Sequence, residues 1–181
     1  MPCNLASGVS LDCRTNLGGI ASVYIGSTTG YDITLLGESA SDNSITGFTF
    51  GSAATTVDSV ADLTVAPMYE FQQPRQAATL TETGNFDEAN GVAFYESSLT
   101  IVINKLQADH LEALDILGQN TKLVVVIRDN NGKYFTVGNE TGAIVSASTS
   151  DTGTAFGDRN GITITFLGYS TQPLLEVAFA S

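Results

Sequence analysis

At 181 residues the chain is about one domain long and can bury a core without disulfide or metal staples. Charged residues make up only 14%, against about 25% in ordinary domains, and 7 Lys+Arg against 19 Asp+Glu leave a formal net charge of −12. That balance speaks against tight, salt-dependent nucleic-acid binding, although a surface that must let DNA pass without adhesion should itself be negative.

Thr, Ser, Gly and Asn stand in for the missing charges, a choice suited to strands, turns and broad protein contacts. The opening MPCNLASGVSLDC has neither the basic nor the apolar region of a secretion signal. The most apolar run, LVVVI (123–127), has the length of a strand and not of a membrane span. Cys3 and Cys13 are too few for a disulfide framework, and with one His they cannot complete a four-ligand zinc site. Two free thiols are expected, with a single bridge pinning the N-terminal arm as the alternative.

In chain order, residues 1–19 show no periodicity and end in Leu17-Gly18-Gly19, which reads as an arm followed by a hinge. From 20 to 181 the text reads as one β domain. SVYIG (22–26) and YDITLLG (31–37) are short alternating runs. Residues 38–60 are small and polar, with only Ile45, Phe48 and Phe50 to bury, and are expected to form a long loop or hairpin that orders on contact with a neighbour. DLTVAPMYE (62–70) and Arg75–Thr83 are the next strands, with Pro67 and Pro74 demoting their ends to edges or bulges. Val92–Asn104 is the longest, and in SLTIVIN the residues Leu99, Ile101 and Ile103 mark one strictly buried face.

One helix is predicted over 104–118, with Asn104 and Gln107 as a capping box, leucines at 106, 111, 114 and 117, and Gly118 as its stop. Next come TKLVVVIRD and KYFTVG around Asn130-Asn131-Gly132, where Asn-Gly predicts a type I′ hairpin. AIVSAS (143–148), GITITFLGY (161–169) and LLEVAF (174–179) complete about nine or ten strands. The fold class expected is a mainly β sandwich or barrel with one flanking helix.

Reactive chemistry is sparse. Asp129, Asn131 and Glu140 imitate three places of a calcium loop, but Lys133 holds a fourth and the flanks are strands. Asp109 and His110 are adjacent on the helix and so do not share a face. The loop 149–161 holds Asp151, Asp158 and Arg159 among glycines without the Lys-Ser/Thr ending of a phosphate loop. No enzyme, metal or cofactor role is expected.

The order of features resembles the tube proteins of phage tails and contractile injection systems. MPCNLASGVSLDCRTNLGGIASVYIG (1–26), YEFQQPRQAATLTETGNFDEANGVAFYESSLTIVINKL (69–106), TKLVVVIRDNNGKYFTVG (121–138) and TGTAFGDRNGITITFLGY (152–169) are similar to structural proteins of tailed phages of Bacteroidetes hosts, including the crAss-like group. The resemblance implies a virion protein assembled in the bacterial cytoplasm. It implies stacked homohexameric rings around a channel through which DNA passes as non-specific cargo, with neighbouring virion proteins as partners and no membrane. On that basis Thr79, Thr81, Glu82, Thr83, Asp87 and Glu88 are candidate lumen residues, and Phe48, Phe50, Asp158 and Arg159 candidate inter-subunit residues. The alternatives are a head–tail ring, a capsid decoration protein, or a small-ligand β module whose site is the loop 149–160.

Overall fold

The thirteen residues Val92–Asn104 form the longest strand, with neighbours hydrogen-bonded along both edges. In the computed structural model, residues 16–26, 69–138 and 141–176 are described in full, and 27, 34–35, 44–45, 48–50, 55–57 and 177 as strand backbone alone. The strands are β1 (Ile20–Ser27), β2 (Thr34–Leu35), β3 (Ser44–Ile45), β4 (Phe48–Phe50), β5 (Thr55–Val57), β6 (Tyr69–Gln72), β7 (Thr79–Asp87) and β8 (Val92–Asn104). After the helix α1 (Ala108–Gln119) follow β9 (Leu123–Asp129), β10 (Tyr134–Val137), β11 (Ala143–Asp151), β12 (Gly161–Ser170) and β13 (Glu176–Val177).

Hydrogen bonds join eight strands in the order β3-β13-β10-β9-β11-β12-β8-β7, with β1 branching from β9 and β6 from β1. All of these pairings are antiparallel except the two-residue β13–β3 contact. β2, β4 and β5 pair separately, so part of the 38–60 segment is a short β4–β5 hairpin. The molecule is mainly β with one helix among the described residues. It is not a closed barrel, because β7 pairs only with β8 among the described residues.

A corner converts this one sheet into two leaves. β9 bonds to β11 at a single residue pair, Leu123 with Ala143, and there the sheet turns. One leaf is β6-β1-β9-β10 and the other β11-β12-β8-β7. Val23, Ile25, Val125 and Ile127 from the first leaf share one buried cluster with Leu99, Ile101, Ile162, Ile164 and Phe166 from the second. The alternation of the strands is what supplies both faces of that cluster.

The corner needs bare backbone. Gly138 has φ +70, and a Cβ placed on it would lie 2.5 Å from the carbonyl carbon of Gly142. A Cβ on Gly168 would lie 2.6 Å from the nitrogen of Gly138. No side chain fits between these segments, and Gly142 N–H donates to Gly138 O at 2.8 Å across the turn.

Three expectations are corrected. The helix does not begin at Asn104: that residue is still paired with Gly161 at the end of β8. Lys105 then adopts φ +69, and the Lys105 and Leu106 amides donate to the carbonyl and side chain of Asn160. The helix starts at Ala108 behind Gln107, with no side-chain cap, and runs through Gly118 to Gln119. The strand expected at 75–83 is β7, which starts four residues later because Arg75 and Gln76 form a turn, and runs on to Asp87. The Asn130-Asn131-Gly132 turn is not type I′, since of these three residues only Gly132 has positive φ. Asp129 N–H instead donates to Lys133 O around a three-residue loop, and the Asp129 carboxylate accepts from the Asn131 and Lys133 amides.

Gly168→Ala should therefore destabilise the protein by about 2 kcal/mol or more, because backbone has to move. Gly157→Ala, with nothing within 4 Å of the new methyl group, should stay within about 0.5 kcal/mol. Urea unfolding of the two variants makes the comparison, and equal midpoints would contradict the corner.

Candidate functional site

Strand alternation decides which candidates can act together. On β7, Thr79, Thr81 and Thr83 are exposed on one face, while Leu80 and Glu82 point to the other and are half-buried. Register extends the threonine face across the leaf. Thr79, Thr81 and Thr83 lie opposite Thr100, Ser98 and Glu96 of β8. Those three lie opposite Thr165, Leu167 and Tyr169 of β12. Ala147 and Thr149 of β11 continue the rows beside Thr165 and Thr163.

Small hydroxyl side chains suit this surface because they can bond across strands and still meet water. The Thr100 and Thr165 hydroxyls lie 3.4 Å apart, and Thr81 Oγ1 donates to Ser98 O at 3.5 Å. Within these rows Glu96 is the one charged residue. Arg159 reaches the rim, where its guanidinium donates to Thr163 Oγ1 at 2.7 Å.

The six lumen candidates thus separate. Glu82 does not join the threonines: Ser97, buried on the opposite face, donates its hydroxyl to Glu82 Oε2 at 3.4 Å. Asp87 and Glu88 sit at the tip of the β7–β8 hairpin. The Asp87 carboxylate accepts from Ala89 and Asn90 N–H and from the Asn90 side chain. The side-chain bond from Asn90, more than the backbone bonds, holds its pKa below the usual aspartate value.

Among the inter-subunit candidates, the side chains of Phe48 and Phe50 lie outside the described residues, as do Cys3 and Cys13. Asp158 turns into its own loop, where Oδ2 accepts from Thr154 and Ala155 N–H, and these backbone bonds lower its pKa. Asp151 likewise accepts from Gly153 N–H. The polar groups of 149–160 are therefore used in holding the loop, which leaves little for a ligand. A better hollow lies between α1 and β6, about 430 Å³ in volume, lined by Ile25, Tyr69, Phe71, Ile116 and Leu117. No sequence pattern pointed to it, because β6 and the helix meet only in the folded chain.

Two edges of the threonine leaf are open. Among the described residues no strand bonds to the outer edge of β7, and none bonds to that of β11 beyond Ala143. TLTETGNFD and AIVSASTSD contain no Lys, Arg or Pro. Proteins that must remain monomeric usually blunt such edges with these residues. Ser98, Thr100, Thr163 and Thr165 were not singled out from sequence. The signal was the polar alternation in SLTIVIN and GITITF, which becomes a surface only once the β8–β12 register is known.

Asp87→Ala should speed amide exchange at Ala89 and Asn90 while leaving the global melting temperature nearly unchanged. The carboxylate's contribution is present above its unfolded pKa and is lost as pH falls through the lowered folded value, so acid should loosen the wild-type tip in the same way. Exchange at these two amides that is insensitive to both changes would contradict the assignment.

Compared with protein-family models, curated proteins and solved structures, the chain has no significant match.

Proposed function

We propose that the protein is an architectural subunit of a virion, a tail-tube protein that closes into homohexameric rings and stacks around a DNA-conducting channel. Its role in this reading is structural and not catalytic. The observation that carries the reading is a nearly uncharged threonine face bounded by two edges that are open among the described residues and carry no Lys, Arg or Pro.

The strand directions favour ring closure. β7 and β12 run one way, and β8 and β11 the other. Rotation about a common axis preserves those directions, so β7 of one copy would meet β11 of the next antiparallel. Such head-to-tail edge pairing is a heterologous contact of the kind that generates rings. Six copies of the four-strand leaf make 24 strands. At about 4.8 Å per strand the backbone diameter is about 37 Å without tilt, and about 48 Å at a tilt of about 40°. Thr and Ser narrow that bore only slightly, which leaves room for a DNA duplex and a layer of water.

The electrostatics agree. A wall of hydroxyls with Glu96 among them offers phosphate only Arg159, at the rim and bonded to Thr163, and ring symmetry repeats each charge at one height. Asp87 and Glu88 add negative charge at the channel mouth. A head–tail completion ring uses the same lateral contacts and differs in forming one ring without a stack.

Sedimentation of the purified protein should show a species of six protomers, about 113 kDa from 18.9 kDa each. Hydrogen exchange should slow at least about tenfold in β7 and β11 on assembly. A strict monomer, or an oligomer whose β7 and β11 amides exchange as in the monomer, would refute the edge pairing.

The channel assignment has its own test. Thr81→Lys with Thr165→Lys should leave rings intact but make them retain DNA, more strongly at low salt. Assembled double-mutant rings that ignore DNA at low salt would remove this face from the channel wall.

A further inference from the structure

The threonine leaf ends differently at its two poles. At one pole β8 extends beyond the last β12 pair, Ser170 with Tyr95, so that Val92, Ala93 and Phe94 bond only to β7. This overhang carries Phe86 at 69% exposure and Val92 at 46%. Phe86 stacks edge-on against Tyr95, with ring centroids 5.6 Å apart, over Gly84, where a Cβ would strike the Phe86 ring. On the opposite face, with Val92, Phe94 packs against Tyr169 at 6.3 Å. Asp87 and Glu88 form the acidic tip.

At the other pole the β11–β12 loop holds Phe156 fully in water, with a relative exposure of 114%. The loop around it is built. Asp158 accepts from the Thr154 and Ala155 amides, Asp158 N–H donates back to Ala155 O, and Asn160 accepts from Lys105 and Leu106. The carboxylates of Asp151 and Asp158 both face amides of the loop, while Arg159 and Lys105 are exposed nearby. A pre-ordered loop that presents an aromatic side chain loses little entropy on docking, and aromatic anchors of this kind dominate interface energies.

We infer that Phe156 is the axial anchor between stacked rings, and that it docks on the Phe86–Tyr95 pair of the overhang of a second copy, with Arg159 and Lys105 facing Asp87 and Glu88. The occupant is the same chain because anchor and socket are opposite poles of the same strands. A copy translated along the strand direction presents one to the other with aromatic against aromatic and cation against carboxylate. An end-to-end contact between two different patches repeats without limit, as a tube requires. The inference rests on the ring reading, which sets the strands along the axis, but it uses surfaces that the lateral edges do not.

The test uses the full chain and Phe156→Ser, examined by negative-stain microscopy and sedimentation velocity. Phe156 contributes nothing to the core, so the variant should melt as wild type does. Rings should persist while the mean number of rings per stack falls about tenfold or more, as expected for loss of one anchor per copy. Wild-type stacks from Phe156→Ser would overturn the inference and leave the ring reading standing. A second arm replaces Cys3 and Cys13 with Ser and mixes Phe156→Cys protein with Phe86→Cys protein in the presence of a short bismaleimide. A mixed cross-linked dimer supports the contact, even in a sample where no ring forms and the ring reading itself has failed. No mixed dimer at concentrations where wild type self-associates overturns the contact, and wild type that never associates overturns both.

Discussion

The fold depends on a backbone-to-backbone contact at one corner. Gly138, Gly142 and Gly168 approach so closely that any Cβ on Gly138 or Gly168 would occupy the space of a neighbouring main chain. The sheet can turn there because β9 bonds to β11 through only one residue pair. The cluster between the leaves follows from that turn. It sets the Val- and Ile-rich face of β9 and β1 against the Leu, Ile and Phe face of β8 and β12, and it removes one side of each leaf from water. Burial of this kind, summed over many side chains, is the main favourable term in folding.

The same turn decides what is left outside. Once β8 and β12 commit Leu99, Ile101, Ile162, Ile164 and Phe166 to the core, strict alternation forces Ser98, Thr100, Thr163 and Thr165 outward. The core and the threonine face are two readings of the same strands. That coupling explains how a chain with few charges covers a broad surface: hydroxyls satisfy one another and the backbone where other proteins would place Lys and Glu. It also fits the lack of Lys, Arg and Pro along the two open edges. A Lys, Arg or Pro along β7 or β11 would guard the edge and would equally oppose the lateral contact on which the proposed ring depends.

The loops follow a related economy. The carboxylates at 87, 129, 151 and 158 each accept backbone amides within their own turn. Asp and Asn favour turns for that reason. An acidic composition therefore gives local rigidity at the tips as well as negative charge. The exposed Phe156 stands on a turn fixed in this way, and the exposed Phe86 lies in β7 just before another.

Several features were legible in the residues alone. Period-two alternation identified β8, and an apolar run beside an Asn-Gly turn identified β9, which is buried on both faces; the helix was visible in its leucine spacing, and Leu106, Leu114 and Leu117 do pack on the core while Leu111 is exposed. Its start was misread because Asn104 carries a capping signal that local sequence cannot weigh against pairing with Gly161, a residue more than fifty positions away. The turn at Asn131-Gly132 was placed correctly and its type was not, because the Asp129 side chain captured the loop amides. Thr79, Thr81 and Thr83 were recognisable as one strand face, yet Glu82 was grouped with them, although a neighbour in sequence on a strand is on the opposite side in space. The residues that complete the face, Ser98, Thr100 and Thr165, could not be joined to them from text. Sequence by itself determined the alternation, and with it which residues each strand could bury. Register, the corner and the open edges were decided only by tertiary structure, because each depends on the meeting of segments that share no local signal.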